Sequence, residues 1–169
     1  MEQEDFIIEN RCADAADCIA RFCHPEVFGD ACRACPGYGR SWICPPLDGA
    51  LARRLCSFMH ISVYRLRVRT DNPERFLAGS ARLRAEEMLL EEERRLDGLA
   101  FGFTGRCPRC RECTRVSGAP CRFPDKARPS LEALGFDVSA LQKALFGEPL
   151  RWEKGGYSFV GALFHNAGR

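Results

Sequence analysis

The apolar residues of this chain change period several times, and each change predicts an element. Phe6-Ile7-Ile8 predicts a short strand. Cys12, Ala16, Ile19 and Cys23 recur at helical spacing, which predicts a helix over residues 13–23 with those positions inward. His24-Pro25-Glu26 puts proline at a first helical position and opens a short helix to Phe28. Asp48 predicts the cap of a helix reaching about Met59, with Leu51, Leu55 and Phe58 as its stripe. From Ile61 to Arg69 the period drops to two, with Tyr64, Leu66 and Val68 on one side and Arg65, Arg67 and Arg69 on the other.

Pro73 to Arg95 returns to helical spacing. Leu77, Ala81, Ala85, Met88, Leu89 and Leu96 form its inward face, and Glu86, Glu87, Glu91, Glu92 and Glu93 an acidic exposed one. Leu99, Phe101 and Phe103 predict a buried strand, with Gly102 permitting a close backbone approach. Ser130 predicts the cap of a short helix. Ser139 and Gln142 fit a capping box for another, which Gly147 ends. Leu150–Lys154 and Tyr157–Phe164, joined through Gly155-Gly156, read as a hairpin. Strands and helices follow one another without regular βαβ alternation. The expectation is an α+β fold, one domain over residues 1–169 with an antiparallel or mixed sheet and flanking helices.

Composition leaves that picture intact: of 169 residues, 46% are hydrophobic and 28% charged, an ordinary globular balance. A net charge of +2 is low for a chain built mainly to hold nucleic acid. No apolar run reaches the roughly 18 residues of a membrane span. The start Met1-Glu2-Gln3-Glu4-Asp5 is acidic, whereas a secretory signal starts basic, so a cytoplasmic compartment is expected. What does change the picture is the cysteine count. Eleven is odd, and a reducing compartment disfavours disulfides, so the thiols point to metal or catalysis. They fall in two modules on a common scaffold, about 12–56 and 107–128.

The second module reads Cys107-Pro-Arg-Cys110-Arg-Glu-Cys113, with Cys121 after seven more residues. Three thiolates at intervals of three can wrap one iron–sulfur cube, and a fourth closes it from a neighbouring turn. A 4Fe-4S cluster is therefore the leading cofactor. Zinc competes, although its sites more often use two separated C-x2-C pairs. The bland alternative treats the cysteines as small buried hydrophobes, which four thiols in a mostly polar run do not resemble. Arg106, Arg109, Arg111, Arg115, Arg122, Lys126 and Arg128 surround the motif. They can stabilise an anionic cluster, form a solvated face, or dock an acidic redox partner protein. No aromatic run interleaves with them, which argues against RNA.

The first module supplies Cys32, Cys35 and Cys44, spaced C-x2-C-x8-C, with Gly37 and Gly39 to fold the loop and Pro45-Pro46 to stiffen its exit. Three local ligands leave a position open. Cys12, Cys18, Cys23, His24, Cys56 or a cysteine of the other module are candidates to fill it; an exogenous ligand there would make a second cluster or metal ion potentially catalytic. Tyr38 and Trp42 can shield the site or simply pack. His60 and His165 read as structural. No Ser/His/Asp set, P-loop or dinucleotide fingerprint names a reaction.

With those motifs in view, the chain resembles a family of predicted metal-binding proteins catalogued as a domain of unknown function. The resemblance rests on Cys32, Cys35, Tyr38, Gly39, Trp42, Cys44, Pro45 and Pro46 in the first half. In the second it rests on Cys107, Cys110, Cys113, then Gly118, Pro120, Cys121, Arg122, Pro124, Lys126, Arg128, Ser130, Glu132, Gly135, Asp137 and Val138. Trp152 and Phe159-Val160-Gly161 extend it, so that it spans about residues 17–164. It implies metal binding through the motif cysteines and no particular reaction. Cys12, Cys18, Cys23 and Cys56 fall outside the shared motifs. Phe123 stands where relatives commonly carry histidine, so the resemblance supplies no histidine ligand at that place.

Overall fold

The computed structural model describes residues 6–73, 80–154 and 156–168. Its centre is β2 (His60–Val68), which is buried at four successive positions, Val63 to Leu66, rather than only at alternate ones. Ile61 and Val63 enter one core cluster, and Tyr64, Leu66 and Val68 the other. Because neighbouring strand residues point to opposite faces, both faces of the sheet are covered. β5 (Gly156–His165) is likewise buried along nearly its whole length, as a strand flanked on both edges and both faces must be.

β1 (Phe6–Asp14), β2, β5 and β3 (Leu99–Phe101) lie side by side in that order, all antiparallel. The two-residue β4 (Trp152–Glu153) pairs with the start of β5 as a hairpin. The expected three-residue first strand is thus nine residues long. β2 offers a partner from Phe6↔Val68 to Asp14↔His60, and pairing carries polar residues that local pattern leaves out. The expected turn residue Gly155 lies outside the described residues.

On one face lie α1 (Ala15–Phe22), α3 (Gly49–Leu55) and α5 (Val138–Phe146). Asp14 caps α1 by accepting from the Asp17 amide at 2.8 Å. Its inward residues are Ala15, Cys18 and Phe22, one step away from the expected Cys12, Ala16, Ile19 and Cys23 stripe. Cys12 belongs to β1, so counting it into the helix shifts the phase. Asp48 caps α3 as expected, but that helix ends at Leu55 and turns bring Phe58 onto the core. α5 is capped by Asp137 rather than Ser139. Gln142 is buried and donates to the carbonyls of Glu148 and Pro149 instead of closing a capping box.

On the other face lies α4 (Ser80–Leu96), burying Ala81, Ala85 and Leu89 against Leu66, Phe159 and Leu163. The first part of the expected helix, including Leu77, lies outside the described residues. Met88, expected inward, is exposed, and Glu86, expected outward, is buried. No described helix is long and apolar enough to cross a membrane.

α2 (Pro25–Ala34) extends well past Phe28 and buries none of its residues. It is held from outside, by the 3-10 turn Glu132–Leu134 that replaces the helix expected after Ser130. The amide of His24 donates to Gly135 O at 2.8 Å, and that of Asp137 to Phe22 O at 2.8 Å. Gly135 has φ +89, and a Cβ there would sit 2.4 Å from Pro25 Cα. Gly135→Ala should therefore cost roughly 2 kcal/mol or more by combining overpacking with left-handed strain, read as a lower urea midpoint at unchanged slope.

Candidate metal centre

Cys32 lies in the last turn of α2 and Cys35 is its C-cap, and the chain then winds through consecutive tight turns. Amides of Cys35, Tyr38, Arg40 and Cys44 each donate three residues back, and Gly39 N–H reaches Pro45 O at 2.8 Å. This winding returns Cys44 to the start of the loop: the sulfurs of Cys44 and Cys35 lie 3.4 and 3.8 Å from where a Cβ on Gly37 would stand. Glycine leaves that space to sulfur. Cys32 also lies within electrostatic reach of both Cys35 and Cys44. The structure therefore sets Cys35 and Cys44 together beside Gly37, with Cys32 in electrostatic reach of both. Burial, and then the neighbouring thiol of Cys35, raise the proton affinities of Cys32 and Cys44.

In the second module, Cys107 is half-buried, and burial pushes its thiol up while the Arg109 amide, donating to it, pulls it down. The Phe123 amide donates to Cys121 Sγ at 3.4 Å. Both amides come from two residues further on. N–H donors of this kind favour thiolate over thiol, as metal-bound sulfur needs. Cys110 and Cys113 wall an open cavity of about 500 Å³ together with Arg111, Arg122 and Phe123. Thr114 Oγ1 donates to Pro120 O at 2.8 Å, and Arg122 to Glu112 O at 3.2 Å, bringing the stretch around Cys121 back beside Cys113. Among the described residues, no group of three or more Cys, His, Asp or Glu side chains is arranged to hold a metal ion. The thiols are gathered on their loops without closing a coordination shell. Their soft donor chemistry and the N–H···S bonds fit a thiophilic centre.

The other cysteines behave differently. Cys18 is core, and burial pushes its thiol up to about 11. Burial likewise takes Cys23 to about 11, and Cys23 donates to Leu134 O at 3.5 Å. Cys12 and Cys56 are exposed. Both ring nitrogens of His24 already have partners, Arg21 O and the Glu26 carboxylate. His165 pairs with Ser62, and burial lowers its proton affinity.

Several residues with site roles carry no motif signal. Arg82 in α4 is fully buried, and donates to Glu86 Oε1 (3.0 Å), Phe103 O (2.9 Å) and Arg106 O (2.7 Å), the last just before Cys107. Glu87 receives Arg109 at 2.6 Å and Lys126 at 3.4 Å, and Glu93 receives Arg128 at 2.7 Å. The face read as solvated acid is thus the seat of the second module. The basic run, for which a solvated face is one of three readings, is partly neutralised by it. Arg115 bridges the modules, donating to Ser41 O, Cys44 O and Pro46 O, while Trp42 Nε1 donates to Ala119 O. Glu132, whose backbone carbonyl accepts from Cys32 Sγ at 3.7 Å, has a buried Oε2 without a hydrogen-bond partner, and burial raises its proton affinity. Trp42, Lys126, Arg128 and Glu132 belong to the motifs, whereas the partnerships of Arg82, Glu86, Glu87, Glu93 and Arg115 are visible only in the fold.

A family model described as a predicted metal-binding protein (DUF2284) matches residues 21–164. No curated protein and no solved structure matches the chain significantly.

Arg82→Met should destabilise the chain by about 3–5 kcal/mol in denaturant unfolding, because Glu86 would stay buried without its nearest cation. A smaller effect is expected at Glu87, whose carboxyl Arg109 holds below its usual range. Stability from this pair is present above the ordinary carboxylate range and is lost as pH falls through the depressed value. Glu87→Gln should flatten the acid limb of a stability–pH curve by less than about 1 kcal/mol, given its partial exposure.

Proposed function

Since the chain belongs, over residues 21–164, to a family of predicted metal-binding proteins, we propose that its metal is iron held with sulfide and its role is one-electron transfer. Cys107, Cys110, Cys113 and Cys121 hold a 4Fe-4S cluster. Cys32, Cys35 and Cys44 hold a second metal centre. The cluster supplies a reversible one-electron couple when bound; the protein supplies thiolates, N–H donors to sulfur and a positive surround.

The observation that carries this reading is the geometry of residues 107–123. Cys110 and Cys113, the last two of three cysteines at intervals of three, line a cavity, and the outer cysteines Cys107 and Cys121 receive backbone N–H donors from Arg109 and Phe123. Adjacency of the two modules supports a relay, since Arg115, two residues past Cys113, bonds the carbonyl of Cys44 at 2.6 Å. The redox partner in this reading is an acidic protein. Arg106, Arg111 and Arg122 stay exposed after Arg109 and Arg128 have turned inward to α4; Lys126, also exposed, reaches Glu87, and exposed Val116 and Phe123 stand with them.

Protein purified without oxygen should be brown and should carry about four iron and four sulfide in the second module. Cys110→Ser with Cys113→Ser should remove that iron and its EPR signal after reduction. A colourless protein with stoichiometric zinc, released by chelators with loss of fold, would show instead a zinc-stapled binding module.

A further inference from the structure

The loop that carries Cys44 has little core of its own. α2, which leads into it, buries nothing, and within residues 35–48 only Ile43 is buried. Its external fastenings come from the other module. Arg115 Nη1 donates to Ser41 O at 2.8 Å and to Cys44 O at 2.6 Å, and Nη2 to Pro46 O at 2.8 Å. The same guanidinium lies 5.2 Å from the ring centroid of Trp42, whose Nε1 donates to Ala119 O at 3.1 Å. Arg115 stands two residues after Cys113, and Ala119 two residues before Cys121.

That fastening segment is itself closed by Ala119 N–H to Thr114 O at 3.1 Å and Thr114 Oγ1 to Pro120 O at 2.8 Å. A metal shared by Cys113 and Cys121 would pin both of its ends. A planar guanidinium can serve three carbonyls and stack on indole at once, which a lysine ammonium cannot.

We propose that Arg115 is a positioning residue that couples the two centres, so that filling the second module orders the loop presenting Cys44 and prepares the first. This rests on the two-centre reading above. By linkage the coupling runs both ways, and filling the first module tightens metal in the second by the same factor.

The test uses the full chain carrying Cys32→Ser, Cys35→Ser and Cys44→Ser, which can fill only the second module. Hydrogen exchange of residues 39–44 is measured before and after anaerobic loading with iron and sulfide. Loading should slow exchange in that loop by about tenfold, a typical coupling. With Arg115→Ala added, the second module should still fill and the slowing should vanish; Arg115→Lys should behave like alanine. Far-ultraviolet circular dichroism checks that each variant keeps the fold. In chains with all cysteines otherwise intact, Arg115→Ala should lower metal content at the first module and leave iron in the second. A second module that fills without slowing the loop overturns this proposal alone. So does equal slowing in Arg115→Ala, or full restoration by lysine. A second module that takes up no metal overturns the functional reading and the coupling with it.

Discussion

A guanidinium with no exposure to water organises one side of this molecule. Arg82 projects from α4 into the space between that helix and the chain leaving β3, where it joins a carboxylate and two backbone carbonyls. Burying a charge is costly unless it is paired and hydrogen-bonded, and such a group tolerates few arrangements. Its partners therefore fix where residues 103–106 run, and so where Cys107 begins. Glu87 and Glu93 extend the same logic to Arg109, Lys126 and Arg128. A polar loop with almost no core of its own is thereby seated on a helix.

The first module solves the same problem by a different route. It hangs on an exposed helix, and it is fastened through backbone groups: a glycine against Pro25, a 3-10 turn against α2, and the carbonyls taken by Arg115. Its half-buried thiols, Cys32 and Cys44, hold their protons more tightly than free cysteine. A metal must displace those protons, so uptake there is favoured as pH rises.

Much of the architecture was legible from pattern. The caps at Asp48 and the stop at Gly147 followed from local chemistry, as did the β2 strand and the final hairpin, because short-range sterics and hydrogen bonding decide them. Misreadings cluster where a distant partner intervenes. β1 is long because β2 is there to pair with it. Glu86 is buried because Arg82 and Arg109 lie above it. The phase of α1 slipped because Cys12 belongs to a strand, and a thiol gives no sign of which period it serves.

Sequence alone determined which cysteines stand at ligand spacing and how they divide between the two motifs. Spacing along a chain limits which atoms a loop can bring together, so it is readable without a fold. Only the tertiary structure decided that the two modules adjoin, that the acidic helix face is a seat rather than a solvated surface, and that Arg115 faces the loop of Cys44. Those facts depend on contacts between residues some twenty to seventy-five positions apart. Their direction is set by sheet order and by which charges must be buried together, and no local pattern encodes either.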